Sequence, residues 1–392
     1  MRAVVVGGGI GGLTAALCLV HVGWDVVVLE QAPEFAEVGA GIQVSPNGTK
    51  ILERLGVIER LGHLLYEPET VEMRLGVSGM RIFSIPVRRI AKARWGAAYY
   101  QIHRADLVGA LHSLLTERAP GSIRTGARVT GYRQESGGIR AVLEDGETEV
   151  FDLLIGADGL HSAIRTQMLG AESPDFTGNT AWRAVVPTNA LGDVRPPPAG
   201  CIWVGAGRHA VTTYLRGGTL VNFVGVVHQP GWREEGWNIT GDPEEAARDF
   251  RGWNPVIDTI LAKTELIHRW SLFDRPPLPR WSEGRAVLLG DACHPMLPSM
   301  AQGAVQAIED AWSLASRLEK SADVGRVGDE HFRARIDRTS AIQKRSARNS
   351  KIFHLSDPLM RLATFGGLWL GDRLAPRMIW RMQDSIYAHE AA

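Results

Sequence analysis

Gly7, Gly9 and Gly12 stand in the spacing G-x-G-x-x-G directly after a short apolar run, and Glu30 closes a second run, DVVVLE, about 20 residues further on. That combination does one kind of chemistry: it holds a dinucleotide. Gly7 permits the tight turn, Gly9 lets the backbone approach a pyrophosphate, and Gly12 lets helix and strand pack closely while the helix N-terminus faces the anion. Glu30 can accept hydrogen bonds from a ribose diol. Two further stretches end an apolar run on an acid. FDLLIGADGLHSAIR carries Asp158-Gly159, and RAVLLGDACHPMLPSMAQGA carries Gly290-Asp291 followed by Cys293, His294 and Pro295. A carboxylate at the end of a buried strand needs a partner, so Asp291 must have one.

These residues need elements to position them. Residues 3–6 suit a strand buried on both faces, 13–22 follow a helical pattern stopped at Gly23, and DVVVLE reads as the next parallel strand. Arg104 stands just before a helix with Asp106 near its start. Residues 152–155 form a strand, with a helix from Ser162 and Arg165 in its first turn; the Gly-Asp stretch begins a third strand-loop-helix unit. GGIRAVLEDGETEV reads as a hairpin turning at Asp145-Gly146, so no second glycine unit is available for a nicotinamide nucleotide. From residue 177 to 270 apolar and polar residues alternate between Gly/Pro turns, which indicates antiparallel strands. VEMRLGVSGMRIFSIPV looks like more of the same sheet, and DPEEAARDFRGWNPVIDTILAKT is helical with Asp242 as its cap. Residues 331–392 read as helices, the first basic and amphipathic (RARIDRTSAIQKRSARNSKIFHL), the second apolar with interspersed arginines (PLMRLATFGGLWLGDRLAPRMIWRM).

A chain of 392 residues is too long for one ordinary core. Its 43 basic and 43 acidic residues leave no excess charge for general nucleic-acid binding. Cys18, Cys201 and Cys293 lie too far apart for a metal-ligand pair or a disulfide framework, so no metal and a reducing, cytoplasmic compartment are expected. No charged leader opens the chain, and no apolar run approaches roughly 18 residues, the length that spans a membrane.

In this order and spacing the three motifs resemble the single-component flavin aromatic hydroxylases of the p-hydroxybenzoate hydroxylase fold, most of all the salicylate hydroxylase and 6-hydroxynicotinate 3-monooxygenase group. The likeness covers residues 1–170 and 280–320 closely and the middle more loosely. It implies an α/β fold: a Rossmann-like FAD-binding domain (1–70, 101–176 and 271–330), an inserted, mostly antiparallel β-sheet substrate domain (71–100 and 177–270), and C-terminal helices (331–392). It implies FAD as cofactor, NADH or NADPH as co-substrate, and O2 and a small aromatic molecule as the other partners.

Residue by residue, the resemblance puts Glu30 on the adenosine ribose and Arg104 on the FAD phosphates or ribityl chain. Asp158, with Arg165, falls beside the pyrophosphate and the docking NAD(P)H, Asp291 on the ribityl chain, and Pro295 near the flavin ring. Gly303 and Ala304 open a helix whose N–H groups face the flavin pyrimidine, where the reduced ring gathers negative charge. Read from the residues alone, Asp158 could instead cap a helix and pair with Arg165. In the family, O2 adds to reduced FAD as a C4a-hydroperoxide, and an electron-rich ring takes its distal oxygen. The protein then has to accept a phenol proton and exclude water, and a histidine, with an ordinary pKa of about 6.5, suits the first task. His209 in GAGRHAVTTYL is the first choice of base, against a hydrated strand-end histidine. Tyr214 is expected to face the pocket with it. Cys201 could line the pocket or pack as a core thiol, His294 reads as structural, and Arg183 could meet a substrate carboxylate or an acid of a neighbouring helix. The loop of Met296, Leu297, Pro298, Ser299 and Met300 makes that side of the pocket apolar. The helical tail could cover the substrate domain or serve a membrane-surface or homodimer contact. Other bearers of these motifs stay open: ubiquinone-pathway hydroxylases of polyprenyl phenols, reductases of the geranylgeranyl type, and a non-catalytic FAD-binding regulator.

Overall fold

The computed structural model describes residues 1–35, 40–234, 239–321 and 323–391. The chain opens with β1 (Arg2–Val6), α1 (Ile10–His21), β2 (Asp25–Leu29), β3 (Gly41–Val44), α2 (Pro46–Arg54) and α3 (Val57–Leu61). It continues through β4 (Thr70–Leu75), β5 (Arg81–Ile85), α4 (Val87–Trp95), β6 (Tyr100–His103), α5 (Arg104–Arg118), β7 (Ile123–Arg124), β8 (Val129–Glu135), β9 (Gly138–Leu143), β10 (Gly146–Glu147), β11 (Leu153–Gly156) and α6 (Ala163–Leu169). Then come β12 (Asp175–Pro187), β13 (Ala199–Gly205), β14 (Arg208–Leu215), β15 (Leu220–His228), α7 (Pro243–Asp249), α8 (Pro255–Ala262), β16 (Ile267–Asp274), β17 (Ser282–Glu283) and β18 (Ala286–Leu288). The helices α9 (Gly303–Leu318), α10 (Val324–Phe353), α11 (Pro358–Leu374), α12 (Pro376–Arg381) and α13 (Asp384–Tyr387) close the chain.

One sheet has the order β17-β18-β11-β1-β2-β7, parallel except at β17. Ala3 and Val5 join a core with α1, α2, α5 and α9, whereas Val4 and Val6 face α6 and the β8–β10 sheet. The strand is buried on both faces because helices or a second sheet cover each side, which is why it reads as an unbroken apolar run. The first helix starts at Ile10, three residues before its apolar pattern becomes visible, and ends at His21, with the chain turning off at Gly23, whose φ of +84° suits glycine. The hairpin turns at Glu144-Asp145, and Gly146 opens β10.

The larger sheet runs β16-β12-β15-β14-β13-β4-β5. Its back face carries Trp182, Cys201, Trp203, Tyr214 and Phe223 against Phe250, Trp253, Ile257 and Ile260 of the α7–α8 region. The front face meets Leu297 at one side and Phe353 and Phe365 at the other. β4 and β5 belong to this sheet, as the early alternation indicates. β16 runs past residue 270 to Asp274, and α10 begins at Val324, ahead of 331. The tail packs over both halves: α10 lies against α9, and α11 lies against β5. Leu359, Leu362, Leu374 and Met378 stay exposed on its outer side. Among the described residues no helix is long and apolar enough to cross a membrane.

Candidate active site

The glycine loop is shaped by what cannot fit. A Cβ on Gly7, whose φ is +105°, would stand 2.4 Å from Ala157 O, and one on Gly12 would stand 1.9 Å from Gly7 O. A Cβ on Gly9 would meet nothing within 4 Å, so open space lies over the N-cap of α1. Gly8 N donates to Glu30 Oε2 (2.6 Å) and Ala32 N to Glu30 Oε1 (2.8 Å), which fixes the carboxylate at the end of β2. Gly8, Gly9, Glu30, Arg104, Asp106 and Arg216 line a cleft of about 460 Å³. Arg104 opens α5 beside it. Burial pulls its pKa down, and the nearby Asp291 and Glu30 carboxylates oppose that pull. One cation therefore links the two acids singled out in the sequence.

At the other end, β18 stops at Leu288 and the chain turns through Gly290 (φ +63°). Asp291 keeps a solvent-accessible side chain in a setting crowded by protein atoms. Burial raises its pKa, while His294 and Arg104 lower it. A Cβ on Gly303 would stand 3.9 Å from Asp291 Oδ1, so the start of α9 and this acid face one another. The first-turn N–H groups at Gly303, Ala304 and Val305 have no acceptor within the helix. Ala301, just before, holds a left-handed φ of +50°, a conformation that costs a non-glycine residue about 1–3 kcal/mol and clusters at ligand sites. Pro295 is buried, with its carbonyl accepting from Gln343 Nε2 at 2.8 Å.

Behind the loop lies a buried polar network that sequence reasoning missed. His294 Nε2 hydrogen-bonds Asp310, which also accepts from Gly290 N (3.1 Å) and from Arg335 Nε (2.7 Å). Arg335 Nη1 donates to Glu309 Oε2 (2.5 Å), and Glu309 accepts further from Arg338 (2.8 Å) and Asn47 (2.6 Å). Burial would raise both carboxyls. His294 and Arg335 outweigh it and hold Asp310 far below the usual range, and Arg335 and Arg338 bring Glu309 down to about 2. Cys293, His294 and Asp310 gather donor atoms within 4.8 Å, but both Asp310 oxygens are engaged and Arg335 would repel a cation there. The visible signal was the pair Glu309-Asp310 inside the otherwise apolar stretch AIEDAW.

Asp158 sits against Gly7 of the glycine loop, and its carboxylate accepts from Ser162 Oγ (2.6 Å) and Ile164 N (3.2 Å) at the start of α6. Ser162 is the N-cap, and Arg165 donates to Leu160 O (2.6 Å) and Ala292 O (3.1 Å) instead of to Asp158. The Arg165 bond ties the Asp-Gly segment to the Gly-Asp loop.

The other candidate surface is the front face of the large sheet. Arg183, Val224, Val211 and Ile202 pair in register across β12, β15, β14 and β13. Ile202, Val211 and Val224 are only half-buried although they sit mid-sheet, so space remains above them. Arg183 stacks on Trp270 at 5.1 Å; burial and the neighbouring Arg104 bring its pKa to about 10. His209 lies on this face, paired with Val226, its Nδ1 2.7 Å from His354 Nε2. Tyr214 does not face the pocket. It lies on the back face, stacked on Tyr66, and its hydroxyl donates to Pro196 O at 2.6 Å. The period of a strand is two, and Tyr214 is an odd number of residues from His209. Cys201 shares that back face and packs as a core thiol.

The chain matches the model of the FAD binding domain family over residues 1–331. It is 38% identical to a 3-amino-4-hydroxybenzoate 2-monooxygenase of Streptomyces platensis, covering 100% of this chain and 96% of that one. It is 37% identical to a 6-hydroxynicotinate 3-monooxygenase of Pseudomonas fluorescens, covering 91% and 93%. Klebsiella pneumoniae HpxO, solved with FAD and uric acid, superposes with a TM-score of 0.86 at 29% identity over 99% of this chain and 97% of that one.

The buried network gives a direct stability test. Asp310→Asn leaves His294 and Arg335 without their shared anion, and breaking a buried pair costs about 3–5 kcal/mol, to be read from urea unfolding. The depressed Glu309 carboxyl contributes stability that is fully present above its ordinary value of 4.5 and is lost as pH falls toward about 2. Acid unfolding followed by near-UV circular dichroism should therefore fall in that window and flatten in Glu309→Gln.

Proposed function

The chain belongs to the FAD binding domain family and is an FAD- and NAD(P)H-dependent monooxygenase of phenolic or hydroxypyridine rings; on that premise we propose that its substrate carries both a ring hydroxyl and a carboxylate. The observation that carries this reading is the row on the sheet's front face, an apolar strip with the Arg183 cation at one end and His209 one row away. By sheet spacing their Cα atoms stand about 12 Å apart, enough for a six-membered ring with a polar group at each end plus one hydrogen bond on either side. The relatives named for 3-amino-4-hydroxybenzoate and 6-hydroxynicotinate act on rings of that description.

In this reading FAD supplies the transfer of electrons from NAD(P)H to O2 and of one oxygen atom to the ring. The chain's own residues bind and orient. The open space at Gly9 takes a pyrophosphate, Glu30 a ribose diol, Arg104 a phosphate or the ribityl chain, and Asp291 a ribityl hydroxyl. The α9 start at Gly303 and Ala304 sets N–H dipoles toward the pyrimidine edge, with Pro295 packed behind it. Val211, Val224 and Ile202 exclude water from the ring, Arg183 pairs with the carboxylate, and His209 Nε2 accepts the hydroxyl proton. A ring that has lost that proton is the stronger nucleophile. Three free, buried cysteines and the use of reduced nicotinamide support a cytoplasmic setting.

Incubation with 3-hydroxybenzoate, 6-hydroxynicotinate and 3-amino-4-hydroxybenzoate, each beside its decarboxylated analogue, tests the substrate class by product mass. Hydroxylation of the acids well ahead of their analogues is expected, and equal use would overturn the carboxylate requirement. Arg183→Met should raise KM for the acid about ten- to a hundredfold, the worth of a charge-assisted hydrogen bond, and leave the analogue unaffected. Asp291→Ala should weaken FAD binding by a similar factor, measured as quenching of flavin fluorescence, with little change in substrate affinity.

A further inference from the structure

We infer that His354 is the proton acceptor behind His209, and that His228 completes a three-imidazole path from the substrate face of the sheet to solvent. The proposal rests on His209 being the base.

The geometry is specific. His209 Nδ1 and His354 Nε2 lie 2.7 Å apart, with ring centroids at 4.9 Å. Two imidazole nitrogens at that distance share one hydrogen, one ring donating and the other accepting. The remaining nitrogen of His209, Nε2, has no partner among the described residues, yet it is not sealed off, although the residue is only 3% exposed. His354 is half-buried and His228 exposed, so the three rings run from inside to outside. The backbone gathers them: His354 O accepts from Gly207 N (3.1 Å) and His228 N donates to Gly207 O (3.1 Å). The turn before β14 is thereby clamped between the end of α10 and the end of β15. Phe353 sits edge-on to His209 at 5.2 Å.

A relay answers a physical need. Burial, with His354 beside it, holds His209 well below its ordinary pKa, and burial with His228 nearby brings His354 to about 4. Both rings are neutral near pH 7 and can accept a proton, but neither can keep a positive charge in this apolar shell. Transfer in concert avoids the charge. The ring hydroxyl proton moves to His209 Nε2, the proton on Nδ1 passes to His354 Nε2, and the proton on His354 Nδ1 leaves to water or His228. Both rings end neutral with their tautomers exchanged, one phenolate is left at the site, and one proton has reached solvent. Reprotonation of the product phenolate along the same path resets the tautomers.

The test uses the FAD-loaded enzyme and whichever of the three acids above is turned over best. Proton release on substrate binding is followed by stopped flow with phenol red in weak buffer, beside turnover and substrate affinity. His354→Gly should slow proton release and turnover at least about tenfold, at unchanged substrate Kd, and added imidazole should restore both. His228→Gln, at an exposed position, should slow release by a smaller factor and fold normally. Parental proton release in His354→Gly and His354→Gln, with His209→Gln impaired, overturns the relay and leaves the base in place. Parental behaviour of His209→Gln overturns the base and the relay with it. A His354→Gly defect that imidazole does not restore, with substrate Kd shifted, marks a packing role and overturns the proposal.

Discussion

The Asp310 carboxylate is the constraint on which the rest of the site depends. It lies fully buried inside α9 and meets His294 of the Gly-Asp loop, the Gly290 amide at the end of β18 and Arg335 of α10. A loop rich in small residues and prolines has little intrinsic reason to hold one shape. Here its conformation follows from one charge that must be satisfied from three directions at once. The left-handed turn at Ala301 and the outward set of Asp291 are consequences: the chain between Gly290 and Gly303 is fixed at both ends, and the residues between them take the conformations that remain.

The large sheet is arranged in another way. It presents rows of side chains whose partners are set by strand register. Arg183, Val224, Val211 and Ile202 stand side by side because β12, β15, β14 and β13 pair as they do. The side that carries the nucleotide motifs is therefore held by strong, directional bonds and the large sheet by a pleat. In the proposed function the cofactor lies on the first and the ring is recognised on the second.

Much of this was legible in the sequence where function and local structure are written in the same few residues. The glycine spacing, Glu30 at a strand end and Asp291 after an apolar run each carry their geometry with them, and the structure gathers Gly9, Glu30 and Arg104 around one cleft, with Asp291 close enough to act on the Arg104 cation. Which way a side chain faces is written less plainly in the sequence. Tyr214 is five residues from His209, and an odd separation along a strand sends it through the sheet to the helices behind. Asp158 combines two readings that local sequence cannot separate, since it lies against Gly7 while its carboxylate accepts from Ser162 and Ile164 at the start of α6. Glu309, Arg335 and His354 were not found at all. Their partners lie on other elements, and no local pattern brings Arg335 to Glu309 or His354 to His209.

One feature of α10 bears on how far the molecule can be divided. The family match ends at residue 331, but the guanidinium that neutralises Glu309 and Asp310 belongs to Arg335, four residues beyond. A shortened chain cut at that boundary would keep every nucleotide motif and strand two acids in an apolar interior. The helix that supplies the missing cation then runs on to deliver Phe353 and His354 to the sheet. What looks like an appendage by homology is a keystone by electrostatics.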